Sequence, residues 1–114
     1  MDLYEEIQRL MLELTSSIRK LRDNGEKLAE AERDYKITLR QEALRLRTAQ
    51  DMPVTLINQV IYGVPEVAEK RFKRDVEQAN YDANKEHINI CKLKLRILEN
   101  QLSREWNNAG KGEL

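Results

Sequence analysis

The chain has one cysteine, two prolines, four glycines and only 5% aromatic residues in 114 positions. A single cysteine excludes a disulfide framework and suits a reducing compartment. Few aromatics, with 40% hydrophobic and 35% charged residues, leave thin material for a globular core. Net charge of one sign is also missing: 20 Lys and Arg balance 20 Asp and Glu. That balance argues against a protein that coats a polyanion, though a local basic patch remains open. No apolar run approaches the roughly 20 residues of a membrane span. The opening MDLYEEIQRL has no apolar signal-peptide region, so a cytoplasmic protein is expected. What the chain does have is Ala, Glu, Lys, Leu and Arg, which fill half of it. With a helical period, that bias marks coiled coils and long helices.

The breakers are concentrated. Pro53, Gly63 and Pro65 lie close together, and apart from Gly25 neither 2–52 nor 66–109 holds Gly or Pro. The expected architecture is all-α, a long antiparallel helical hairpin resembling a coiled coil. One helix covers about 2–50, a tip covers 51–64 and a second helix covers about 65–108. At about 1.5 Å per residue each long helix spans ~65–75 Å, and a short connector makes them antiparallel neighbours. The whole forms a single domain over 1–109, and the polar tail 110–114 is expected to be disordered. In the tip, Thr55 is the expected N-cap of a helix over 56–62 and Gly63 its left-handed terminator. Pro65 suits the first position of the second helix. Glu66–Lys70 and Glu69–Lys73 are spaced for i,i+4 pairs.

Ile7, Leu14, Leu21, Leu28 and Tyr35 recur every seven residues. A second row runs Tyr4, Met11, Ile18, Gly25, Glu32, Leu39 and Leu46. Together they give a heptad-like seam. Asp23 and Glu26 around Gly25 resemble a capping box, but the seven-residue row stays in phase across them. A continuous helix is therefore expected, with Gly25 allowing close approach of another helix.

The second helix carries two stripes on roughly opposite faces. One is Ala68, Phe72, Val76, Ala79, Ala83, Ile90, Leu93 and Ile97, expected to serve the tip half. The other is Tyr81, Ile88, Cys91, Leu95, Leu98, Leu102 and Trp106. From Ile88 onward both are apolar, and a hairpin buries only one face. The surplus predicts a homo-oligomer, dimer or tetramer. Its expected interface comprises Leu3, Ile7, Leu10, Leu14, Ile88, Cys91, Leu95, Leu98, Leu102 and Trp106.

No arrangement for catalysis or phosphate cradling is present, and a non-enzymatic protein without cofactor is expected. His87 and Cys91 are each the only residue of their kind, at i,i+4 on one helix face. Nothing nearby supplies the rest of a zinc set except Glu86 or a second copy of the chain, so they read as a seam thiol beside an exposed histidine rather than a metal site. The basic residues Arg40, Arg45, Arg47, Lys70, Arg71, Lys73 and Arg74 flank the tip. Residues 40–74 hold seven basic and four acidic side chains. They are either solvated helix faces or contacts for phosphate or an acidic partner. In the tip, Leu56, Ile57, Val60, Ile61 and Tyr62 are expected to plug the hairpin against Leu46, Val67 and Phe72. Any exposed remainder would form a docking knob for a protein partner.

The stretches IRKLRDNGEKLAEAERDYKITLRQEALRLR, PVTLINQVIYG, VAEKRFKRDVEQANYDANKEHIN and LKLRILENQLSREW resemble small proteins encoded by temperate phages and prophages of Gram-positive bacteria. That resemblance spans roughly Leu3 to Trp106. It implies an intracellular phage product without active-site residues and favours a nucleic-acid-related or host-directed role. Three readings follow: an oligomeric interaction protein that presents the tip to a protein partner, a recombination or replication accessory that binds DNA through the basic residues, and a purely structural oligomer.

Overall fold

The computed structural model describes the backbone of residues 2–112 and the side chains of residues 2–109. It is all-α: α1 (Leu3–Ala49), α2 (Val54–Val60), a 3-10 turn (Ile61–Gly63) and α3 (Pro65–Gly112). The long helices pack against each other through the short connection, which is the expected helical hairpin. No strand occurs among the described residues, and no helix there is long and apolar enough to cross a membrane. α3 runs past the expected end near 108 to Gly112. Residues 113 and 114 of the expected disordered tail lie outside the described residues.

Contacts divide the chain into two units. One joins the segment up to Arg22 with the segment from Asp82 onward, and the other is Asp23–Tyr81.

In the first unit, Asp2 starts α1, its Oδ1 accepting the Glu5 N–H at 2.8 Å. This satisfies one of the donors that every helix start leaves open. Ile7, Leu10 and Leu95 form a buried cluster, with Leu14 and Leu98 packed against it. Ile88 and Cys91 are buried on the same row of α3. Beside these apolar contacts lies one buried polar pair: Asn84 Nδ2 donates to the Ser17 carbonyl at 2.9 Å.

In Asp23–Tyr81, α1 continues through Gly25 without a break. A Cβ placed on Gly25 would lie 3.5 Å from the Tyr81 ring, so the small residue faces an aromatic side chain of α3, as its place on the row suggests. Asn24 Nδ2 reaches the Asn80 carbonyl at 3.3 Å. Tyr35, Leu46, Ile57, Ile61 and Val67 form the core, flanked by Leu39, Ala43, Met52 and Val64. Val67 is fully buried, a contribution of roughly 1.5–3 kcal/mol for a side chain of its class.

The connection differs from expectation in three details. α2 begins at Val54 with Pro53, not Thr55, at the N-cap position and no side-chain cap. Proline has already fixed the entry dihedral (φ −60°), and the Leu56 and Ile57 N–H groups both reach the Pro53 carbonyl at 3.0 Å. Gly63 closes a 3-10 turn with φ outside the positive range. Val64, held extended as the residue before a proline, redirects the chain instead (φ −63°, ψ 126°). Among the described residues, the one with positive φ is Asp51, at 49°, a side chain that tolerates that region. α3 does begin at Pro65.

The tip half of α3 uses the other stripe from the one expected. Phe72 is 65% exposed, Val76 is 40% exposed, and Ala68, Ala79 and Ala83 are exposed. The less accessible positions are Val67, Lys70, Arg74, Glu77 and Tyr81. Spacings of three and four carry this row on to Asn84, Ile88, Cys91, Leu95 and Leu98. A continuous helix cannot turn half round to offer the apolar stripe near the tip and the Ile88 row further on. The row with the greater apolar content therefore decides the face for both. Stems of long polar side chains cover the seam where apolar residues are lacking. Arg74, for example, lies over the Tyr35 ring at 4.7 Å.

Candidate functional site

The turn after α1 positions the first site. The Met52 N–H returns to the Leu46 carbonyl at 3.1 Å, and Arg47 Nη1 holds the Met52 carbonyl at 3.1 Å. This lays α2 beside the last turns of α1. Ile57 and Ile61 point into the core, while Leu56, Val60 and Tyr62 stay exposed, as does Val54. The expected tip set thus divides into two plugs and three surface residues.

Between α1 and α2 lie two adjoining depressions of about 520 and 500 Å³. They share Arg40, Ala43, Ile57 and Asn58 as walls. Ile37, Leu39 and Tyr62 extend one, and Leu44 and Val54 extend the other. Three cations, Lys36, Arg40 and Arg47, and no carboxylate complete the lining. Lys36 pairs with Glu32 at 3.5 Å. Arg40 has no partner among the described residues.

The other basic residues are spent elsewhere. Arg45 bonds Glu42 at 2.6 Å. Arg74 bonds Asp75 at 2.9 Å as well as covering Tyr35. Arg71 lies over the Tyr62 ring at 5.1 Å. Lys70 is half-buried on the seam, and Lys73 lines a separate cleft with Glu30, Asp34 and Glu77. The expected Glu66–Lys70 and Glu69–Lys73 pairs do not form. The seven basic residues therefore do not make one continuous free track.

In the unit containing both chain ends, the residues expected between copies mostly belong to the hairpin itself. Ile7, Leu10, Ile88, Cys91 and Leu95 are buried there, and Leu14 and Leu98 pack on them. Leu3 is half-buried, and only Leu102 and Trp106 (79%) are exposed. The rest of the exposed apolar surface lies elsewhere: Ile90, Leu93 and Ile97 on the outer face of α3, and Tyr4, Met11, Leu12 and Ile18 along α1.

The same unit brings together a group of which sequence spacing showed only two members, His87 and Cys91. Cys91 Sγ lies 3.6 Å from His87 Nε2. Glu13 Oε1, from α1, lies 3.2 Å from that same nitrogen. One ligand atom from each of the three residues falls within 4.8 Å of the other two. Glu86, the neighbour in sequence, is not part of the group. The missing signal was the hairpin register. Pairing Ser17 with Asn84 places Glu13 opposite the turn that carries His87 and Cys91. The connector length alone does not fix that register.

Comparison with protein-family models, curated proteins and solved structures gives no match to this chain.

Proposed function

We propose that the chain is a non-enzymatic interaction protein that takes an acidic, apolar segment of a partner protein in the groove between α1 and α2. The supporting observation is the composition of that groove: an apolar floor, three cations and no carboxylate. An amphipathic segment would bury its apolar residues against Ile37, Leu44, Val54 and Tyr62 and set its carboxylates near Arg40 and Arg47. Apolar burial supplies the affinity, while charge sets approach and register. The nucleic-acid reading has less support. Arg45 and Arg74 are already paired, Arg71 lies over the Tyr62 ring, and the seven basic residues make no continuous track for a phosphate backbone.

The test is selection from a displayed peptide library against the intact chain, with the double variant Leu44→Asp, Val54→Asp as counter-target. Both side chains are more than half exposed, so the fold should survive. Enriched peptides are expected to combine Asp or Glu with apolar residues and to lose at least tenfold in affinity on the variant. Peptides that bind the variant equally well would refute the groove. Retention of duplex DNA at low salt, lost in Arg40→Glu, would favour the nucleic-acid reading.

Copies of the chain, on this proposal, also associate with one another. The row Ile90, Leu93 and Ile97 offers exposed apolar surface for that association.

A further inference from the structure

We propose that Glu13, His87 and Cys91 form a zinc(II) site with three protein ligands and solvent water in the fourth position. A tetrahedral zinc has bonds of about 2.3 Å to sulfur and about 2.0 Å to nitrogen or oxygen, which sets ligand atoms about 3.3–3.6 Å apart. The separations of 3.6 Å from sulfur to nitrogen and 3.2 Å from nitrogen to oxygen already approach that pattern. The third separation, sulfur to the Glu13 oxygen, lies within 4.8 Å and must close to the same range by side-chain rotation, with His87 and Cys91 one helical turn apart and Glu13 facing them from α1.

The surroundings hold the ligands in place. Glu13 Oε2 pairs with Arg9 at 3.4 Å and leaves Oε1 toward His87. On both helices the next turn is fastened by the buried Asn84–Ser17 bond. Such outer contacts orient ligands and raise affinity. Cys91 is buried, but Glu13 and His87 reach solvent, with side chains 39% and 44% exposed. They give the ion a path to the sulfur and leave room for the water.

The donor set selects the metal. Thiolate and imidazole beside one carboxylate suit a borderline-soft divalent ion, whereas magnesium and calcium require mainly oxygen ligands. On binding, the Cys91 thiol gives its proton to solvent and the imidazole binds as the neutral base, so affinity falls as pH falls. The bound ion joins α1 to α3 and stabilises the folded chain by mass action.

The test uses the full chain, stripped with a chelator and titrated with cobalt(II) and then zinc(II). Cobalt is expected to bind one per chain and to show the sulfur-to-metal absorption of thiolate ligation. Zinc should displace it and raise the thermal midpoint. Cys91→Ser should lose the absorption. His87→Ala and Glu13→Gln should each weaken binding at least tenfold. His87 is exposed and Glu13 half-buried, and circular dichroism without metal checks that their helices persist. Absence of the absorption, or wild-type affinity in all three variants, would overturn the site. Full affinity in Glu13→Gln would overturn the three-ligand assignment in favour of a His–Cys pair. One metal per two chains would overturn it in favour of a site shared between copies.

Discussion

Gly25 stands in the middle of a 47-residue helix, where glycine costs about 1 kcal/mol relative to alanine. The nearest atoms to an added methyl belong to the Tyr81 ring, 3.5 and 4.0 Å away, and these are ordinary contact distances. Gly25→Ala should therefore raise stability by about 0.5–1 kcal/mol, read as a thermal midpoint a few degrees higher. A lower midpoint would show that Tyr81 cannot give way. At this scale the sequence was legible where a residue's own chemistry decides. Pro65 opens α3 as its ring dictates. The left-handed residue was misplaced, because Gly63 permits that conformation without requiring it. Asp51 adopts it at the turn after α1.

Among the elements, α1 was read with the correct extent and continuity. Its Ile7 row is the seam, while the second row starts exposed at Tyr4, Met11 and Ile18 and joins the core only at Leu39 and Leu46. α3 was harder to read, because its two stripes exchange apolar content along the helix. Counting hydrophobic residues near the tip favours Phe72 and Val76, but the helix is oriented by Ile88, Cys91 and Leu95 further along. Buried amides mark the places where hydrophobicity does not set the register. Asn84 donates to a carbonyl of α1, and a leucine there would pack without that directional demand. Asn84→Leu is expected to keep or raise thermal stability but to admit alternative pairings, seen as doubled amide peaks by NMR. A single set of peaks with lower stability would mean that the amide contributes only its bond.

For the whole molecule, the hairpin was legible from the position of its breakers. The surplus of apolar surface was legible too, but not its location. The rows expected between copies are used within the chain, leaving Ile90, Leu93 and Ile97 outside. Light scattering at tens of micromolar is expected to give a mass above one chain, reduced to a monomer by Ile90→Asp with Ile97→Asp. A monomeric parent chain would refute self-association. Of the candidate metal group, the His87–Cys91 pair was legible from its spacing but Glu13 was not, because it meets them only through tertiary pairing. The groove was only partly so. Its cations Arg40 and Arg47 were identified, but the apolar wall of Ile37 and Leu44 lies on a face of α1 that periodicity assigns to solvent.

The alternating three- and four-residue steps of the seam also constrain how such a chain can change length. Adding one residue to either long helix rotates everything beyond it by about 100° and turns the inward row outward. Seven residues added to one arm restore the rotation but leave it a heptad longer than its neighbour. Only matched heptads in both arms preserve facing and pairing together. Length variants of this architecture should therefore come in paired steps of seven, with the connecting segment unchanged.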